Sequence, residues 1–308
     1  MTVSYIYYKL KYLLSAHILN PFWHSKDKRR KIRGIATGNI VSQYLDSYRD
    51  FMASVDVSNE NGSLLQSKER IFSIWFQGED NAPEIVKACY RSIRHNCTQE
   101  LVVLDSSNIR VWITLPEHIV RKWEKGKLAP AHFADLCRME LLYRYGGIWM
   151  DATCFATAPV PEWIEQQDFF IYLYDKDLIW NSPFSYSFVN NCFFRARKGD
   201  PLLKVWRDTS FEYWRREDSR FDYFIHQLIF KKVTECNDIA AEEFAKMPHV
   251  DQGGTHALWF RHKDEPFDKE KFQELISGAF FQKTEYKSNS AKNPVKGSFA
   301  ETLIRMYR

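Results

Sequence analysis

No G-x-G-x-x-G turn, no G-x-x-x-x-G-K-[ST] loop, no G-x-S-x-G elbow and no H-E-x-x-H helix occurs anywhere in these 308 residues. Each of those chemistries needs its residues at that spacing, so the absences argue against a dinucleotide dehydrogenase, a P-loop enzyme, an elbow-type serine hydrolase and a zincin. The 6 cysteines, Cys89, Cys97, Cys137, Cys154, Cys192 and Cys236, form no C-x-x-C pair and no metal-ligand spacing. Neither a structural zinc nor a disulfide framework is suggested, and a reducing cytosol is the simplest setting. No apolar run approaches the roughly 20 residues of a membrane span. No secretory leader is evident, because Lys9 and Lys11 interrupt the first apolar stretch. Asn61-Gly62-Ser63 and Asn96-Cys97-Thr98 match the glycosylation sequon, but without a leader they read as chance matches. An excess of one charge is missing too: 43 Lys and Arg against 39 Asp and Glu leave +4, too little for a duplex-binding face, so no nucleic-acid partner is expected.

What is present is material for a core. Hydrophobic residues make up 45% of the chain and aromatics 16%, enough for one catalytic domain with appendages. Aromatics alone decide nothing, since sugar stacking, core packing and membrane anchoring all use them. Val3 to Trp23 is rich in Tyr, Leu, Ile and Phe and is followed by Lys26, Lys28, Arg29, Arg30, Lys31 and Arg33. Two readings stand: a segment lying on an anionic membrane surface, or a helix packed on the catalytic domain beside a solvated basic loop. Residues 36–68 are polar and Ser/Asn-rich, which reads as a linker or surface loop. The division is therefore 1–68 as an N-terminal amphipathic, basic segment with linker, and 69–308 as the catalytic domain.

The pattern from Glu69 onward is α/β. Ile71 to Phe76 reads as a strand closed by Gln77-Gly78, Ala82 to Arg94 as a helix with Pro83 in its first turn, and Leu101 to Leu104 as a second buried strand ending at Asp105. Strand, helix, strand opens a doubly wound sheet. Pro130 through Tyr145 has no internal Gly or Pro, with Pro130 suited to a first turn and Gly146 to a stop. Ile148-Trp149-Met150 follows, apolar without alternation as a strand buried on both faces should be, and delivers Asp151 at its end. Strands at Phe169–Leu173 and Cys192–Ala196 and helices near 200–216 and 221–232 complete the pattern.

Carboxylates at strand ends are the chemical candidates. Asp135 and Arg138, three residues apart on the predicted helix, share a face and either point at a common ligand or form an intrahelical ion pair. His132 precedes them and is a candidate general base or a helix-start hydrogen-bonding group. Asp222 and His226 lie one helical turn apart, facing an acceptor or forming a surface pair. Asp135 with Asp151 could also flank a glycosidic bond as in a glycoside hydrolase, and a non-catalytic sugar-binding or membrane scaffold is a further alternative.

In order along the chain, several stretches resemble the bacterial capsular polysaccharide synthesis glycosyltransferases, relatives of sugar transferases that carry a D-x-D motif. They are Ile74 to Gly78 with Ala82 to Val86, Leu128 to Arg138, Tyr145 to Thr153, Asn190 to Phe194, Gly199 to Leu203 and Phe281 to Lys287. The resemblance covers roughly residues 69 to 290. It implies a glycosyltransferase A fold, a Rossmann-like, mostly parallel sheet flanked by helices, here with an N-terminal helical segment. It further implies transfer of a hexose from a nucleotide-diphosphate sugar, UDP-linked by preference, to a hydroxyl of a growing capsular or surface polysaccharide unit, with retention. The acceptor would be a polyprenyl-diphosphate-linked oligosaccharide at the inner face of the cytoplasmic membrane.

By the same resemblance a hard cation, Mn²⁺ or Mg²⁺, would sit on Asp151 and Thr153 and stabilise the departing diphosphate. Asp135 and Arg138 would hold the sugar and its diphosphate, the guanidinium being suited to bidentate phosphate contact. From their places at strand ends Gln77 and Asp105 would meet the base or ribose and Asn190 and Asn191 the sugar hydroxyls, while Lys283 and Lys287 either neutralise the leaving diphosphate or are solvated lysines. This chain departs from the family pattern twice: Asp151-Ala152-Thr153 lacks a second Asp, and Gln282 stands where relatives place a His near the metal.

Overall fold

The computed structural model describes residues 2–18, 34, 38–57, 69–174 and 188–308. Its apolar, unalternating runs become the strands of a central sheet: β1 (Arg70–Ile74), β2 (Glu100–Leu104), β3 (Gly147–Met150), β5 (Phe169–Leu173) and β6 (Val189–Ala196). Their order is β2-β1-β3-β6-β5. β1 is parallel to both β2 and β3, while β6 runs antiparallel to β3 and to β5. A second, two-stranded antiparallel ladder joins β4 (Cys154–Ala156) to β7 (Phe281–Lys283). The architecture is the mostly parallel α/β sheet that the sequence predicts, compatible with a glycosyltransferase A fold.

Helices cover the sheet. The principal ones are α1 (Val3–Ile18), α2 (Glu84–Asn96), α3 (Pro130–Tyr145), α4 (Pro201–Arg216), α5 (Ile225–Cys236), α6 (Asp238–Lys246) and α7 (Phe299–Arg305). α2 packs on β4 and on α7, while α4, α5 and α6 pack on one another and α4 also meets α3. α3 is buried from His132 to Leu142 with few breaks, so it is a core helix and not a surface one. α4 starts on Asp200, whose Oδ1 accepts from the Leu203 amide at 2.9 Å, with Pro201 in the first turn where its missing N–H costs nothing.

Several boundaries differ from the sequence reading, among them the helix read from Ala82 to Arg94, which runs Glu84–Asn96, and the strand read from Cys192, which begins at Val189. β1 stops at Ile74, because Trp75 and Phe76 leave the ladder for the turn that Gly78 completes at φ +83°. α5 starts at Ile225, the preceding bend being held by Asp222 Oδ1 accepting from the Phe224 amide at 2.7 Å. The larger difference is residues 38–57, predicted as linker. They are mainly helical and place Val41, Tyr44, Leu45, Tyr48 and Met52 in the same core as the sheet. The flanking Ser and Asn concealed that spacing of apolar residues. The remainder of the predicted linker, Asn61 and the basic run Lys26 to Arg33 lie outside the described residues.

The passage from α3 to β3 requires two glycines. Gly146 ends the helix at φ +68°, and a Cβ there would lie 2.7 Å from the Lys198 amide nitrogen. Gly147 takes φ +100°, and its Cβ would lie 2.6 Å from the Arg70 carbonyl oxygen, which belongs to the neighbouring strand. Both the backbone angle and the approach of β1 to β3 exclude a side chain. Gly147→Ala is therefore expected to lower stability by well over about 1 kcal/mol, read as the shift in urea midpoint; a midpoint within error of wild type would refute this account of the turn.

Candidate active site

The order of the sheet reverses direction at β1, with β2 on one side and β3 on the other, and open α/β sheets take ligands outside the carboxyl ends of strands at such a point. Asp151 stands there, immediately after β3, its amide donating to the Cys192 carbonyl of β6 at 2.8 Å. The β4–β7 ladder brings the C-terminal part of the chain to the same place by pairing Cys154 with Lys283. Thr284 fixes that register: its amide and its hydroxyl both donate to the Thr153 carbonyl, at 2.7 and 2.9 Å.

The side chains form a continuous polar chain. Gln227 Nε2 donates to Asn191 Oδ1 at 3.0 Å, and Asn191 Nδ2 donates to Asp135 Oδ1 at 2.9 Å. One Arg138 terminal nitrogen lies 3.2 Å from Asp135 Oδ1 and 3.2 Å from Asp151 Oδ1, and the other donates to the Asn191 carbonyl. The guanidinium also lies over Trp149, 4.6 Å from the ring centroid, while Trp149 Nε1 donates to Asp151 Oδ1 at 2.9 Å. Lys283 Nζ donates to Asp151 Oδ2 at 2.9 Å and to Thr153 Oγ1. The two readings of Asp135 and Arg138 are thus compatible: they are an intrahelical pair, and that pair reaches the strand-end carboxylate.

Charge alternates along this chain, and access grades along it. The side chains of Arg138 and Asp135 are 7% and 10% exposed, those of Lys283 and Asp151 18% and 25%, so a ligand meets the Asp151–Lys283 end first. Burial raises the Asp135 carboxyl above its ordinary value, despite Arg138. Burial pushes Asp151 the same way, but Lys283, Arg138 and the Trp149 N–H outweigh it and hold Asp151 below the usual carboxylate range. Lys283 is lowered by burial and raised further by Asp151, and the net direction is up, so it stays an ammonium.

The other predicted residues are distributed around this cluster. Gln77 is exposed at the end of the β1 turn, and Asp105 ends β2 with Oδ1 accepting from the Ser107 amide and hydroxyl at 2.7 and 2.6 Å. Asp105 Oδ2 points toward Gly78, so these two turns are neighbours. Asn190 donates to Gln252 Oε1 and accepts from the Cys192 amide at 3.0 Å. Lys287 is exposed, with its ammonium 5.5 Å from the Tyr286 ring centroid. His132 is buried with neither ring nitrogen hydrogen-bonded, and burial brings its pKa down to about 4. The Asp222–His226 surface pair is corrected: both are buried, Asp222 accepting from Tyr12 Oη at 2.7 Å and His226 Nε2 from Trp214 Nε1 at 3.3 Å.

Four residues of the site escaped the sequence reading. Trp149 reads as plain core in an apolar strand, and Gln227 and Gln252 sit in no motif. The fourth is His256. Gln282, standing where a His is expected, donates to the Gly254 carbonyl at 2.8 Å and accepts from the Leu258 amide at 3.1 Å. That amide fastens the 253–256 turn against β7, and the turn sets His256 within electrostatic reach of Lys283. Burial first, and Lys283 second, bring the His256 pKa down to about 4.

As arranged, this donor set does not fit a divalent cation. Asp151 and Thr153, the oxygens that were to hold the metal, both hold the Lys283 ammonium. Among the described residues no cluster of three or more His, Cys, Asp or Glu side chains is placed to bind one.

A family model described as "Capsular polysaccharide synthesis protein" matches residues 22–303. The chain is also similar to the O-glycosyltransferase braB of Annulohypoxylon truncatum, 23% identical over 190 residues that make up 53% of this chain and 42% of that protein. The chain therefore spans well under half the length of this curated relative.

His132 and His226 give the fold an acid-sensitive element. Their pKa values of about 4 and about 3 lie below the roughly 6.5 of an unfolded histidine. The native state therefore binds fewer protons than the unfolded chain. The stability this contributes is complete above pH 6.5 and is lost as pH falls toward those folded values. His132→Phe removes one such group without breaking a hydrogen bond. Between about pH 7.5 and pH 5 it is expected to lose less stability than wild type, by about 2 kcal/mol, read from denaturant midpoints at both pH values; identical pH dependences would contradict this.

Proposed function

The chain belongs to the capsular polysaccharide synthesis protein family, and on that footing we propose that it moves a hexose from a nucleoside-diphosphate sugar to a hydroxyl of a growing capsular or surface polysaccharide unit. The family and the O-glycosyltransferase relative support a glycosyltransferase role. The observation that carries the donor reading is the pair of cations, Arg138 and Lys283, converging on Asp151 at the strand ends. A diphosphate is the group such a pair recognises, since charge-assisted N–H donors to phosphate oxygens are short and strong. Charge develops on the same oxygens as the glycosidic bond breaks, so donors fixed there lower the barrier.

In this reading Asp135, Asn190 and Asn191 hold the sugar hydroxyls, and Gln77 and Asp105 meet the base or ribose of a UDP-type donor. Retention of configuration and a polyprenyl-diphosphate-linked acceptor follow from the family resemblance. The test is a panel of UDP-, GDP- and dTDP-sugars with thermal stabilisation and released nucleoside diphosphate as readouts. One donor is expected to stabilise the protein and turn over, and Asp151→Asn to cut turnover on the order of 100-fold, as loss of one preorganised site group does. No stabilisation by any nucleotide would refute the reading.

α1 supports a place for this reaction at a membrane surface. Its protein-facing side is aromatic and polar: Tyr5 Oη lies 2.7 Å from Ser219 Oγ, Tyr12 Oη donates to Asp222, and Tyr5 packs edge-on against Phe221 at 5.4 Å. Its outward side is Val3, Ile6, Tyr7, Leu10, Leu13 and Leu14, all between 44% and 86% exposed. Among the described residues no helix is long and apolar enough to cross a membrane. A helix that turns its aliphatic face out, followed in sequence by six basic residues from Lys26 to Arg33, suits the interface of an anionic bilayer, each basic residue contributing on the order of 1 kcal/mol. Sedimentation with phosphatidylserine vesicles is expected to carry the wild-type protein, and Leu10→Glu with Leu14→Glu to leave it in the supernatant. Equal partitioning of both would exclude α1 as the contact.

A further inference from the structure

Lys283 is not a solvated lysine near a phosphate site; it is built into the position where the motif would present a cation. Its Nζ bonds both polar side chains of Asp151-Ala152-Thr153, Asp151 Oδ2 at 2.9 Å and the Thr153 hydroxyl. The backbone carrying it is held by the β4–β7 ladder and by the paired bonds from Thr284 to the Thr153 carbonyl. Its position is therefore set by strand register and not by a flexible stem alone. Its neighbour in charge is Arg138, on the other oxygen of the same carboxylate. Asp151 thus carries a guanidinium on one oxygen and an ammonium on the other, two cations in place before any ligand arrives.

The sequence departures fit the same substitution. A second Asp at position 153 would add a further anionic oxygen ligand of the kind a hard cation favours, but Thr153 is neutral and donates or accepts with its hydroxyl. At position 282 a residue able to ligate a metal is replaced by Gln282, whose amide is consumed by Gly254 and Leu258. His256, the histidine that the 253–256 turn does bring near, has its Nδ1 paired with the Thr255 hydroxyl at 2.7 Å and its ring stacked on Phe260.

We propose that Lys283, together with Arg138, replaces the divalent cation in this protein, so that the diphosphate of the donor is bound and its departure stabilised without metal. The inference rests on the donor reading above. In the step it describes, the bond between the sugar C1 and the diphosphate oxygen breaks with its electron pair leaving on that oxygen. The acceptor hydroxyl oxygen forms the new bond to C1, and its proton passes to the departing diphosphate. Lys283 and Arg138 stay paired with Asp151 and direct their remaining N–H groups at the phosphate oxygens as negative charge accumulates there, so that Asp151 holds both cations in place throughout.

The experiment is calorimetric titration of UDP, GDP and dTDP into metal-stripped full-length protein, in EDTA and in Mn²⁺, alongside turnover of the matching sugar donor. The nucleotide is expected to bind with the same affinity in both, and turnover to survive EDTA. Lys283→Met is expected to weaken binding about 10- to 100-fold, the loss typical of a hydrogen bond to a charged group, with Lys283→Arg recovering part of it. The decisive variant combines Lys283→Ala with Thr153→Asp, which empties the ammonium position and doubles the carboxylates. It is expected to bind Mn²⁺ by loss of the free-ion electron paramagnetic resonance signal, which the wild type leaves unchanged, and to regain nucleotide binding only with Mn²⁺. Thermal melts report whether each variant is folded; wild type and Lys283→Arg carry the test if the others are not. Binding and turnover by the wild type only with Mn²⁺ would overturn the substitution while leaving the transferase reading intact. Absence of nucleotide binding in both conditions would overturn the transferase reading itself, and the substitution with it.

Discussion

The alternation Asp135, Arg138, Asp151, Lys283 holds the centre of this molecule together, and each member is tolerable in its surroundings only because of the next. Removing one partner of a buried ion pair typically costs about 3–5 kcal/mol, because the charge left behind has lost its water and its counter-charge. The four come from α3, from the end of the strand β3 that follows it directly, and from the end of β7, 132 residues beyond Asp151. Their meeting therefore ties the helix to both ladders. Trp149 adds a π face under the guanidinium and an N–H to the carboxylate, which confines both in orientation. A site assembled this way is preorganised, since its dipoles and charges are positioned before any ligand arrives.

Much of this was legible in the sequence, for local reasons. Pro130 and Gly146 bound α3 to the residue, and Asp151 follows a strand too apolar to lie anywhere but the middle of a sheet. Asp135 and Arg138 share a helix face whatever the tertiary structure. Lys283 is different: its contact with Asp151 spans 132 residues and passes through two three-residue strands, too short to leave a periodic signal. The departure at Thr153 was visible, but its meaning was not, because only the β4–β7 register shows which side chain meets that hydroxyl. Gln282 was likewise visible as an exception, and its link to the turn bearing His256 came only with the fold. Residues 38–57 went unread for the opposite reason, since polar neighbours diluted a run of core positions.

α1 and the strand-end cluster are mechanically joined. α1 is fastened through Tyr5 and Tyr12 to the 219–222 segment, and the adjoining Tyr223 lies edge-on to His132 in the first turn of α3, 5.6 Å between ring centroids. The same helix carries Asp135 and Arg138. Two side-chain contacts thus link α1 to the helix that carries Arg138. On the proposal that α1 meets a bilayer, that arrangement would set the strand-end site at a fixed distance from the surface.

The central claim is that the ends of β3 and β7 form the diphosphate site. A crystal structure of the complex with the nucleoside diphosphate that binds best tests it most directly. The account predicts phosphate oxygens within hydrogen-bonding distance of Lys283 Nζ and the Arg138 guanidinium, with the base lying toward Gln77 and Asp105. A diphosphate bound elsewhere, with the Asp151–Lys283 pair undisturbed beneath it, would contradict it.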